Sequence, residues 1–115
     1  MLLRNSLYHI IASSEAGFTI RFDASHPVFA GHFPGHPIVP GACLVQIAEE
    51  LLSEQTGRTV RFTAIRNLKF RQPVTPDMQV VMSVHEDGKI EVRDLSLTEV
   101  YAQFAANMCP DADVQ

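Results

Sequence analysis

Gly31-His32-Phe33-Pro34-Gly35-His36-Pro37-Ile38-Val39-Pro40-Gly41, running straight into Ala42-Cys43-Leu44-Val45-Gln46-Ile47-Ala48-Glu49-Glu50-Leu51-Leu52, is the stretch that decides the fold. Its first half belongs to a longer segment from His26 to Gly41 that holds four of the seven prolines and three of the six glycines. Proline lacks the backbone N–H and clashes with regular structure, so neither helix nor ladder is expected there, and the segment reads as a long, stiffened loop. The second half is the opposite. Good helix formers run from Gly41 to about Thr56, and Gly57 suits the left-handed position that ends a helix. Ala42, Cys43, Leu44, Val45, Ile47, Ala48, Leu51 and Leu52 cover most of its circumference, which predicts burial along most of its length. Polar residues form one stripe, Gln46, Glu49, Glu50 and Ser53, at i, i+3, i+4 and i+7.

Outward from this centre only strands are expected. Before it, Ser6–Ser13 and Phe18–Asp23 form a hairpin turning near Gly17, with Phe18, Ile20 and Phe22 alternating against polar neighbours. After it come Arg61–Gln72, stopped by Pro73 and Pro76, then Met78–His85 and Lys89–Leu95 joined at Glu86-Asp87-Gly88, and a last strand over about Thr98–Met108. In Arg61–Gln72 the alternation puts Phe62, Ala64, Leu68 and Phe70 on the apolar side, with Arg66 out of place among them. One helix and five or six antiparallel strands predict an α+β fold in which the sheet wraps the helix, because little else buries so apolar a helix in so short a chain.

The 115 residues bound the chain to one domain, 1–115, and the 46% hydrophobic and 19% charged composition is that of a folded core. A net charge of −4 offers no footprint for nucleic acid. No apolar run approaches the roughly 20 residues that span a bilayer, and Met1–Leu3 followed by Arg4-Asn5 is neither signal nor anchor, so no membrane association and a cytoplasmic protein are expected. Cys43 and Cys109 read as free thiols, and His26, His32 and His36 lack a carboxylate or thiolate at ligand spacing, so no metal and no cofactor are expected.

The motif itself carries a resemblance. Gly31-His32-Phe33-Pro34-Gly35-x-Pro37-x-x-Pro40-Gly41 ahead of a buried helix resembles the signature of the hot-dog-fold β-hydroxyacyl-(acyl carrier protein) dehydratases, and Phe70-Arg71-Gln72-Pro73-Val74 is similar to a second segment of that family. The resemblance implies a hot-dog fold, a homodimer, and elimination of water from a β-hydroxyacyl thioester borne by an acyl carrier protein, in fatty acid or polyene-type biosynthesis. That chemistry needs a base for the proton α to the carbonyl, donors for the developing enolate oxygen, and a proton for the departing hydroxyl. His32 fits the base, since a neutral imidazole accepts a proton near pH 7. Gly41 opens the helix, where free N–H groups and the dipole favour an oxyanion. Phe33 and Pro40 flank these two residues in the motif and are expected beside the substrate.

One position departs from the family. Its dehydratases carry Asp or Glu five residues after the last motif glycine, facing the other subunit's site; here stands Gln46, whose neutral amide hydrogen-bonds a water or hydroxyl but is no ordinary acid. Pro40–Gln46 is similar in this to the short ApeI-like branch. Glu50, one turn on, is the carboxylate placed to substitute by spacing, though about 6 Å further along the axis. The same stripe also suits a solvated helix face. Arg58, Arg61, Arg66, Lys69 and Arg71 gather five of nine basic residues in fourteen positions, either to meet an acidic carrier and its phosphate, through Arg61, Lys69 and Arg71, or as a plain solvated strand face. A hot-dog thioesterase and a non-catalytic acyl-thioester- or carrier-binding module are the alternatives.

Overall fold

The computed structural model describes residues 2–30 and 35–110. Strand β1 (Tyr8–Ser14) and β2 (Gly17–Phe22) form an antiparallel hairpin with Tyr8 opposite Phe22. Gly17 is required there twice over: its φ is 133°, and a Cβ would come within 2.9 Å of the Met82 carbonyl carbon on the neighbouring strand. Contrary to the expectation that no helix persists there, the Pro-rich segment is not wholly irregular. Pro27–Phe29 makes one 3-10 turn, which the His26 side chain caps by accepting from the Val28 N–H at 3.0 Å. Proline at the first helical position costs no hydrogen bond, which is why the turn survives.

Helix α1 spans Gly41–Thr56 and ends on Gly57 in the left-handed conformation, φ 74°. Strands β3 (Val60–Phe70), β4 (Gln79–Val84), β5 (Lys89–Arg93) and β6 (Val100–Pro110) follow. All six strands form one antiparallel sheet in the order β1-β2-β4-β5-β6-β3, so β1 and β3 are its edges. Leu44, Ile47, Leu51 and Leu52 of α1 pack in one core with Ile20, Met82, Val92 and Phe104 of the sheet. Truncating one of these leucines or isoleucines, or Met82, to alanine costs about 2–5 kcal/mol.

Two packing expectations are corrected. The helix is buried on Leu44, Ile47, Ala48, Leu51 and Leu52, but Ala42 is exposed and Cys43 and Val45 only half-buried. The sheet of one chain covers one flank of α1 and leaves the other open. In β3 the simple alternation fails. Bulges between Phe62 and Ala64 and between Arg66 and Lys69, with Asn67 at φ 55°, shift its phase, so Ile65 follows Phe62 against the core while Ala64 and Leu68 are exposed and Phe70, half exposed, lies over the start of α1. The same shift resolves Arg66, which is exposed and donates through Nε to Asn107 Oδ1 at 3.1 Å.

As an edge strand, β3 presents outward amides, and the helix covers the first of them. The Val60 N–H donates to Ser53 Oγ at 2.8 Å, and the Phe62 N–H to a Glu49 carboxylate oxygen at 2.7 Å. Covering an edge with helix side chains blocks unwanted strand pairing there.

Candidate active site

The start of α1 is held from two sides. Val39, buried, donates its N–H to the Val74 carbonyl at 2.7 Å, which ties the end of the loop to the segment after β3. Pro40 is the N-cap and offers no side-chain cap; the helical ladder begins with Cys43 and Leu44, both donating to the Pro40 carbonyl. The N–H groups of Gly41 and Ala42 therefore precede the ladder, with no acidic residue in the first turn. Over them lies Phe70, whose ring a Cβ at Gly41 would overlap. Phe70 is 52% exposed, so an aromatic face lies at the helix start and remains open to a ligand. No expectation singled out Phe70 at the helix start; its signal was its place in the Phe70-Arg71-Gln72-Pro73-Val74 segment.

One turn and a half further on, Gln46 donates through Nε2 to Glu50 Oε2 at 3.0 Å. Glu50 had been expected to meet substrate. Its carboxylate instead accepts from the Leu3 N–H at 2.7 Å, the Arg4 N–H at 3.0 Å and the Tyr8 hydroxyl at 2.9 Å as well. Four donors fill the roughly four acceptor sites a carboxylate has. Tyr8 is fully buried, and burial, reinforced by the Glu50 charge, pushes its hydroxyl well above the usual phenol range, so it stays a donor. Arg4 also pairs with Glu54 at 2.6 Å, so the N-terminal segment is strapped across the helix stripe. Tyr8 carried no signal in the sequence beyond its place in an apolar strand.

The stripe is therefore not a plain solvated face: Glu49 and Ser53 hold β3, and Gln46 and Glu50 are linked. A cleft of about 600 Å³ runs along it, bounded by Gln46, Glu50 and Glu54 on one side and Arg58 and Arg61 on the other. A shallower one of about 290 Å³, lined by Ala42, Val45 and Phe62, meets it at Gln46 and Glu49. Lys69 and Arg71 are exposed at the far end of β3, where Arg71 Nη2 lies 3.4 Å from Gln103 Oε1. Thus Gly41, Pro40 and Phe70 meet at the helix start, Gln46 and Glu50 along its stripe, and the basic residues along the edge strand. His32 and Phe33 lie outside the described residues. Burial pushes the Cys43 thiol up, as for a half-buried free cysteine. Among the described residues no group of three His, Cys, Asp or Glu converges as metal ligands, and no helix is long and apolar enough to cross a membrane.

A six-stranded antiparallel sheet around a central helix is the architecture of the hot-dog fold. Within that class the chain belongs to the ApeI-like family, the family of ApeI dehydratase, whose model matches residues 9–109. Among curated proteins it is 39% identical over 84 residues to the 3-hydroxyacyl-[acyl-carrier-protein] dehydratase FabZ of Acidiphilium cryptum, covering 65% of this chain and 51% of that one. The corresponding protein of Brucella ovis is 36% identical over 99 residues, 78% of this chain and 61% of its own. The chain thus spans about half to three-fifths of the length of these relatives. Among solved structures it is similar to a chain of the dehydratase heterocomplex ApeI:P from Xenorhabdus doucetiae, with a TM-score of 0.66 and 22% identity over 89% of this chain and 93% of that one.

Proposed function

We propose that this protein removes water from a β-hydroxyacyl thioester carried by an acyl carrier protein, or adds it in reverse, in the cytoplasm and in fatty acid or polyene-type synthesis. The observation that carries the proposal is the full Gly31–Gly41 motif leading into an uncapped helix start with an aromatic ring beside it. His32 takes the proton α to the carbonyl, and the C–H electron pair moves into the thioester as an enolate. The enolate oxygen is held by the Gly41 N–H and the positive end of α1. As the enolate collapses, the β-carbon–oxygen bond breaks and the hydroxyl leaves with the proton that His32 took up, giving water and an enoyl thioester. Both transfers fall to one histidine because they occur in succession on one face of the substrate. Gln46 occupies the place of the family's carboxylate and hydrogen-bonds the departing hydroxyl or a water. Phe33, Pro40 and Phe70 flank the acyl chain, and Arg61, Lys69 and Arg71 meet the acidic carrier.

The chain acts as a single domain in a homodimer, in which the stripe of one subunit faces the other's His32. In support, β3 is a sheet edge, with Leu68 45% and Phe70 52% exposed along it. Incubation with 3-hydroxybutyryl and crotonyl thioesters, following enoyl absorbance and free thiol together, tests the reaction. Enoyl absorbance rising or falling without thiol supports it; thiol release identifies a thioesterase, and binding without either identifies a carrier-docking module.

A further inference from the structure

Gln46 stands where the resemblance to the β-hydroxyacyl dehydratases implies a carboxylate, and a flexible amide is a poor catalytic contact unless something fixes it. Its neighbour Glu50 supplies one fixing contact. A carboxylate only accepts hydrogen bonds, so the Gln46 atom 3.0 Å from Glu50 Oε2 is the amide nitrogen, and this contact favours one orientation of the amide over the flipped one. Glu50 is itself immobilised. Its two oxygens are held by two consecutive backbone amides, Leu3 and Arg4, and by the hydroxyl of Tyr8. That ring is fully buried in the core, and Arg4 is fixed a second time on Glu54. The order runs from the core through Tyr8 to Glu50 and from there to Gln46.

We infer that Glu50 is a positioning residue that, held by Tyr8 and the Leu3–Arg4 strap, sets the orientation of the Gln46 amide toward the substrate. This rests on the dehydratase role proposed above for Gln46, and gives the retained glutamate a purpose other than proton donation. A glutamine in place of Glu50 would put an NH2 group among these donors. The Gln46 amide would then turn over, with its oxygen where its nitrogen had been.

The test compares Glu50→Gln, Gln46→Leu and the double variant in the full chain, with 3-hydroxybutyryl thioester as substrate. Glu50→Gln is expected to lower kcat about tenfold to a hundredfold with little change in KM, since a misdirected group acts on the chemical step. On the Gln46→Leu background the same substitution should lower kcat no further. Because Glu50 also clamps the strap, a lower melting temperature is expected on both backgrounds. A kcat loss of equal size on both would overturn positioning and leave a purely structural role. A second measurement needs no turnover: the side-chain amide NMR signal of Gln46, identified by its disappearance in Gln46→Leu, should move in Glu50→Gln and stay in place in Glu54→Gln. A signal indifferent to Glu50→Gln overturns the inference. A wild-type protein that forms no enoyl thioester overturns the dehydratase proposal instead, and the amide signal still decides whether Glu50 holds Gln46.

Discussion

Replacing Ser53 with alanine separates a load on the helix stripe from mere solvation of it. The Ser53 hydroxyl accepts the Val60 N–H at 2.8 Å and donates to the Glu49 carbonyl at 2.9 Å. Val60 is only 3% exposed, so without the hydroxyl its edge amide has no ready replacement in water. An amide left unsatisfied in this way costs about 1–3 kcal/mol. Alanine gives back about 0.5 kcal/mol as the better helix former. The net loss is then about 0.5–2.5 kcal/mol. Unfolding entropy of about 2.1 cal/mol/K per residue over 115 residues is about 0.24 kcal/mol/K, so the melting temperature should fall by about 2–10 °C. Thermal unfolding followed by circular dichroism measures it, with Ser53→Thr as the control that keeps the hydroxyl. A melting temperature for Ser53→Ala equal to or above the wild type would refute the tether, since a solvated stripe gains from alanine.

Two further outcomes follow from the charged groups. Asp94 accepts the Thr98 and Glu99 amides and the Ser96 and Thr98 hydroxyls, which hold its carboxyl down from the ordinary 3.8 to about 2. A depressed carboxylate stabilises the folded state above its unfolded value and loses that contribution as pH falls through the folded one. The Thr98 and Glu99 amide signals should therefore keep their positions through pH 4 and change only near pH 2; a transition centred at 3.8 would contradict the turn. Separately, charge reversal at Arg61, Lys69 or Arg71 should raise KM for a carrier-bound thioester much more than for a short soluble one, and equal effects on both would return these residues to a solvated strand face.

What could be seen in the sequence was what short-range chemistry specifies. The helix runs over the expected Gly41–Thr56 because its limits are set locally, by Pro40 at one end and the left-handed Gly57 at the other. The hairpin and the succession of strands along the chain were legible for the same reason, as was Gly41 at the helix start. Strand β3 was not, because the bulges that re-phase it belong to its pairing with β6, some forty residues away, and to Asn67 at a positive φ that periodicity does not encode. The filling of Glu50 by Leu3, Arg4 and Tyr8 likewise depends on contacts 42 to 47 residues apart in the chain. Without them, a glutamate on a polar stripe looks available to substrate.

The most direct measurement is the rate of enoyl thioester formation from 3-hydroxybutyryl thioester by wild-type protein and by His32→Ala, with circular dichroism melts of both. Removal of the base should lower the rate by about 10²–10⁴ while the melting temperature stays close to that of the wild type. A well-folded His32→Ala protein that still forms enoyl product at the wild-type rate would contradict the account.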